Sequence, residues 1–159
     1  MKTAISQETL FNTSQNFVSN MLGLGEFSSK HVPESLLHLV RLRVSQINGC
    51  CLCLHMHATE ARQAGEAQAR LDVLGAWKEA ECFSTQERAA LQWAEALTTL
   101  SLHAPEQPAY DALSEVFSQE QVIGLTAAIV EINGWNRISA GFGFKPDIAL
   151  QQNEEANHA

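Results

Sequence analysis

Apolar residues recur along this chain at three- and four-residue intervals, and the two-residue alternation of half-buried strands is nearly absent. The pattern predicts an all-α fold. A first helix is expected near residues 7–22, with Leu10, Phe11, Phe17, Val18 and Met21 on one stripe. The stretch 23–30 (GLGEFSSK) reads as a turn. Pro33 then stands where the first turn of a helix accepts proline, because its missing N–H would be unpaired there anyway. The helix that follows carries Leu36, Leu37, Val40 and Val44 and ends at Asn48-Gly49, a strong breaker pair. A third helix starts with the cluster Cys50, Cys51 and Cys53 and runs to about Ala64, stopped by Gly65.

Further along, 67–80 reads as a short helix followed by a turn around Gly75. Ser84-Thr85-Gln86-Glu87 is a capping box, in which the serine side chain and the glutamate satisfy each other's exposed backbone donors. It opens a helix with Ala90, Trp93, Ala94 and Leu97 on one face. Pro105 and Pro108 start a short helix through Phe117, and a second capping box, Ser118 to Gln121, begins one with Val122, Leu125, Ile129 and Ile132 in register. The tail after Pro146 is polar and is expected to fray. Residues 44–50 (VSQINGC) echo 129–135 (IVEINGW), each reading as an apolar helix end, an Asn-Gly break and a new segment. The echo is either chance or the mark of two related helical units packed on each other, with chemistry kept in the first.

A length of 159 residues fits one domain. Ten Lys and Arg against eighteen acids, a net charge of -8, cannot easily build a phosphate-binding face, so nucleic acid is not an expected partner. No apolar run reaches the roughly 18 residues a membrane span needs, and the polar N-terminus lacks the apolar core of a signal peptide. A cytoplasmic, reduced protein that does not engage membranes is expected. Four cysteines in that setting point to redox chemistry, metal binding or core filling rather than a disulfide framework.

The informative stretch is 48–57, NGCCLCLHMH. At about 100° of rotation per helical residue, Cys50, Cys53 and His57 fall within roughly 60° of one another, while Cys51 and His55 point away. Cysteines three apart at a helix start can close a disulfide with little backbone movement. The positive end of the helix dipole stabilises a thiolate there. A histidine one turn after Cys53 can take its proton and turn a weak nucleophile into a strong one. Structural zinc is an alternative, but it wants four ligands; Cys50, Cys53 and His57 supply three, with His38 a candidate fourth. Inert core cysteines are another. Cys82 lies outside any motif and reads as packing, as do Trp77, Trp93 and Trp135, expected as core or subunit-interface anchors. His31 and His103 lie in predicted turns and carry no assignment.

At these residues the chain resembles the carboxymuconolactone decarboxylase-like superfamily, in its alkylhydroperoxidase D-like, peroxidase-related branch. The matching run is 39–50 (LVRLRVSQINGC), followed by Cys53 and Met56-His57. Further matches are Glu60-Ala61-Arg62, Ala76-Trp77, 87–97 (ERAALQWAEAL) and 132–137 (INGWNR). The resemblance covers roughly residues 10–143 of a domain taken as 1–159, and its Ser-Gln-Ile-Asn-Gly-Cys motif is specific. It implies an all-α fold, a trimeric or hexameric homo-oligomer, and thiol-dependent reduction of small-molecule hydroperoxides without a metal or organic cofactor. By position it implies Cys53 as the peroxide-attacking thiolate, Cys50 as its disulfide partner and His57 as the proton relay, with an external thiol or dithiol reductant. Helix geometry alone does not separate the two cysteines, and the dipole favours activating Cys50.

Four departures stand out. The family's glutamate twelve residues before the first cysteine is His38 here, which can pass a proton but supplies no fixed negative charge. His55 stands where related sequences carry an acid, and Leu52 where a histidine precedes the second cysteine, with Cys51 as an extra thiol. These bear on peroxidase efficiency rather than on fold. A disulfide reductase or thiol sensor using the same pair remains open. So does a cofactor-free lyase, although the lyase branch typically lacks the C-x-x-C.

Overall fold

In the computed structural model, which describes residues 4–148, most helix ends fall where local signals place them. Among the described residues there are eight α-helices and one 3-10 turn, and no strand. They are α1 (Gln7–Thr13), α2 (Gln15–His31), α3 (Glu34–Asn48), α4 (Cys51–Gln63), α5 (Gln68–Val73), the 3-10 turn (Leu74–Ala76), α6 (Thr85–Thr98), α7 (Gln107–Val116) and α8 (Gln119–Phe142). Both capping boxes form, at Ser84 with Glu87 and at Ser118 with Gln121. Gly49 ends α3 in the left-handed region at φ 65°, which a side chain rarely adopts.

The N-terminal region departs from its sequence pattern. The helix expected over 7–22 is broken at Ser14, and 23–30 is not a turn but the second half of α2. The stripe read there is split accordingly: Leu10 and Val18 are buried, whereas Phe11 and Phe17 are exposed. Gly25 serves close approach rather than a turn. A Cβ on it would lie 2.7 Å from Oε1 of Glu131 on α8.

The echo at 129–135 is not a helix end either. Helix α8 passes through Asn133-Gly134 unbroken. Asn133 spends its amide on Ile129 O and Thr98 Oγ1, and a Cβ on Gly134 would come within 2.6 Å of Met21 on α2. The asparagines of the two copies nevertheless meet. Asn48 Nδ2 donates to Asn133 Oδ1 at 3.0 Å and to Asn136 Oδ1 at 2.8 Å, and Asn136 donates to Ser45 Oγ at 3.1 Å. This network ties the α3–α4 turn to α8. Residues 149–159, most of the tail expected to fray, lie outside the described residues.

Helix α3 is central, packing against α4, α6 and α8, while α8 also runs along α2. One apolar cluster gathers Leu37, Val40, Val44, Leu113, Leu125 and Ile129; a second gathers Leu39, Leu42, Ala61, Leu71, Leu74 and Leu91. With both sides of α3 fixed, its remaining face meets α4 and α8 at the site. No helix among the described residues is long and apolar enough to cross a membrane.

Candidate active site

Because Gly49 turns the chain sharply, Cys50 arrives at the N-cap of α4, where its Sγ accepts the Cys53 N–H at 3.3 Å. Cys50 and Cys53 are joined as a disulfide with Cα atoms 5.4 Å apart, well inside the span a disulfide bridges. Both are buried. They differ in what they face: Cys53 lines a cavity of about 400 Å³, and Cys50 does not. The Ser139 hydroxyl lies 3.7 Å from Cys53 Sγ. A disulfide sulfur carries no proton, so the hydroxyl is the donor.

His57 lies one turn after Cys53 on the same face of α4, is buried, and lines the cavity. Its Nδ1 lies 2.8 Å from Glu60 Oε2, one turn further along. The hydrogen bond from His57 is the main reason the Glu60 carboxyl is held below the usual carboxylate range. Partial burial opposes it, and the neighbouring His57, His38 and Arg41 add to it. An ionised Glu60 accepts, so Nδ1 is the donor, which in a neutral ring leaves the lone pair on Nε2. That Nε2 is buried without a partner. His38 on α3 is likewise buried and lines the cavity, with its Nδ1 unpartnered. Among the described residues these are the two buried side-chain polar atoms with no hydrogen bond, and both belong to one cavity.

The sequence reading assigned no role to the acids that complete this arrangement. Glu60 sits three residues after His57, a spacing that on a helix usually means a solvated face. Glu131, a single charge between Val130 and Ile132 on an apolar stretch of α8, is buried beside the cavity. Its Oε2 is 3.3 Å from Arg41, which also binds Glu34 at 3.0 Å. Burial raises the Glu131 pKa, with Arg41 working against it.

Cys51 and His55 are exposed and stand apart from the site. One packing expectation needs correction: Cys82 is exposed rather than packed. Trp135 packs against the main apolar cluster and also lines the cavity, its ring stacked parallel to that of Phe11 of α1 with centroids 6.3 Å apart. Trp77 is buried and bonds Glu95 through its ring N–H, and Trp93 is half-buried and bonds Thr126. No group of three or more His, Cys, Asp and Glu is placed to hold a metal ion among the described residues. The chemistry this arrangement can perform is thiol–disulfide exchange coupled to a proton route through His57.

A carboxymuconolactone decarboxylase family model matches residues 18–96. The uncharacterized protein YdfG of Bacillus subtilis is 39% identical over 105 residues, 66% of this chain and 71% of that protein. The crystal structure of an Agrobacterium tumefaciens protein of unknown function, provisionally described as an antioxidant defence protein AhpD, matches with a TM-score of 0.82 at 31% identity. That match covers 87% of this chain and 96% of that one. The debrominase Bmp8 matches at a TM-score of 0.77 over 86% of this chain and 74% of its own, at 21% identity, a likeness of fold alone.

Proposed function

This chain belongs to the carboxymuconolactone decarboxylase-like, alkylhydroperoxidase D-like superfamily, and from that premise we propose that it is a thiol-dependent peroxidase reducing hydroperoxides through Cys53, Cys50 and His57. The observation that carries the reading is a redox pair of which one member, Cys53, faces a cavity shared with a histidine held by a carboxylate.

In the reduced protein His57 Nε2 takes the Cys53 proton. The thiolate attacks the distal oxygen of R–O–OH, the S–O bond forms as the O–O bond breaks, and the alkoxide leaves as alcohol with the proton from His57. Cys53 is then a sulfenic acid. The Cys50 thiol attacks its sulfur, water leaves, and the disulfide forms. Two equivalents of an external thiol, or one dithiol, restore the pair and leave as a disulfide. Ser139 contacts Cys53 along the path, and His38, which lines the same cavity, substitutes for the family's glutamate as a proton carrier while Glu60 supplies the fixed charge that His38 lacks.

Two effects compete over which sulfur attacks. A helix N-terminus favours a Cys50 thiolate by about 0.3–1 kcal/mol. A positioned general base contributes roughly 10²–10⁴-fold, which is several times larger in free energy, and His57 lies one helical turn from Cys53 in the same cavity. Cavity access points the same way. The reading carries with it a cytoplasmic setting and a trimeric or hexameric assembly.

Treating Cys50→Ser and Cys53→Ser with one equivalent of hydroperoxide in the presence of dimedone tests the assignment by mass spectrometry. The dimedone adduct is expected on Cys53 in Cys50→Ser and absent in Cys53→Ser. An adduct on Cys50 alone would reverse the roles. No adduct in either, with the wild-type disulfide still accepting electrons from dithiols, would leave a disulfide reductase.

A further inference from the structure

We infer that the cavity selects uncharged, apolar organic hydroperoxides, and that Glu131 is the residue that turns away substrates carrying a carboxylate. The inference rests on the peroxidase reading for its chemistry, but its selectivity can be tested separately.

The wall around Cys53 is largely apolar, with Phe11, Leu22, Leu52, Met56, Trp135 and Phe144 facing a space of about 400 Å³. That is room for a small organic molecule rather than for a peroxide alone. Hydrogen peroxide touches none of this wall to advantage, whereas an aryl or alkyl group covers it and removes apolar surface from water.

The polar groups at the other side are unbalanced. Glu34, Glu60 and Glu131 face one guanidinium, Arg41, which already binds two of the three carboxylates. Among the described residues that line the cavity, no second arginine or lysine is left over to receive an anion. Glu131 matters most because it is the buried one of the three; Glu34 and Glu60 are substantially exposed, where water screens them. A carboxylate entering the cavity would lose water and meet a desolvated charge of its own sign. The groups facing Glu131 are Arg41 of α3, His57 of α4, and Trp135 of its own helix. On α2 the neighbour is Gly25, which has no side chain.

Cumene hydroperoxide and its para-carboxylate have the same reacting group and differ in charge. Single-turnover thiol loss in the wild-type protein should be at least about tenfold faster with the neutral compound. Glu131→Gln frees one arm of Arg41 and should narrow that ratio by about tenfold, mainly by accelerating the carboxylate. A change that only loosened the fold would slow both compounds alike.

Calorimetric titration of the wild-type protein with the product alcohol and its carboxylate reads selectivity without chemistry and without a variant. The alcohol should bind at least about tenfold more tightly. Equal rates, or equal or no binding of the two alcohols, would overturn the selectivity while leaving the peroxidase intact. No peroxide reduction with preserved alcohol discrimination would instead overturn the peroxidase reading and keep the cavity's preference.

Discussion

Replacing Glu60 by glutamine keeps the side chain's size and one acceptor but removes the charge that orients His57. The 2.8 Å contact between Glu60 Oε2 and His57 Nδ1 is charge-assisted, a class worth about 1.5–3 kcal/mol. Glu60 retains 42% of its side-chain exposure, so water screens part of that and the lower end applies. About 1.4 kcal/mol corresponds to a tenfold rate loss, and glutamine can also present its amide and stabilise the wrong tautomer. The single-turnover rate of Cys53 oxidation should therefore fall about tenfold in Glu60→Gln, against at least about a hundredfold in His57→Ala. Because Glu60 acts through His57, the double variant should be no slower than His57→Ala alone. Stopped-flow measurement of all four proteins at one pH closes the cycle. Additive losses would refute the coupling, as would a Glu60→Gln rate within twofold of wild type while His57→Ala is severely impaired.

Three further outcomes follow from particular residues. The folded Glu60 pKa lies below its unfolded value, so its hold on His57 is complete above the usual carboxylate range and is lost only as pH falls through the lowered value. The wild-type rate should thus lose the Glu60 contribution only below the usual carboxylate range, and stopped-flow rates measured across pH should show that component absent in Glu60→Gln. Glu131 has the opposite sign: its raised pKa means that stability grows as pH falls from the raised value toward about 4.5, and urea titrations across pH should show this component disappear in Glu131→Gln. Glu95 would be raised by burial, but hydrogen bonds from the Trp77 ring, Lys78 and Arg43 together hold it below the usual range. Glu95→Gln should cost about 2 kcal/mol at neutral pH by chemical denaturation, between the values for exposed and fully buried pairs, and an unchanged midpoint would rule that out.

The parts of the structure that sequence made legible are those set by neighbours in the chain. Ser84 and Ser118 cap their helices through residues three positions away, and Gly49 breaks α3 through its own backbone freedom. The shared face of Cys53 and His57 follows from helical rotation alone, whereas Cys50 reaches Cys53 from the non-helical N-cap. What could not be read depends on partners far along the chain. Gly25 and Gly134 look like breakers, yet they are small because Glu131 and Met21 press against them, and α2 and α8 continue through. The Asn133-Gly134 pair repeats the spelling of Asn48-Gly49 but not its conformation, since Asn133 is held within its helix and by Thr98. At the site, Glu131 enters through Arg41, ninety residues away, and Trp135 through the stacking of Phe11. Glu60 was in view as part of a motif; only the geometry of the His57 ring distinguishes it from a solvated helix charge.

The central claim, that Cys53 is a peroxide-reducing thiolate served by Cys50 and His57, is tested most directly by single-turnover oxidation of the fully reduced protein with a stoichiometric organic hydroperoxide. Peroxide and free thiols are followed together. The expected result is consumption of one peroxide with loss of two thiols per chain, both from Cys50 and Cys53, at a rate far above that of a free thiol. Peroxide loss no faster than with free thiol, or thiol loss confined to the exposed Cys51 and Cys82, would contradict it.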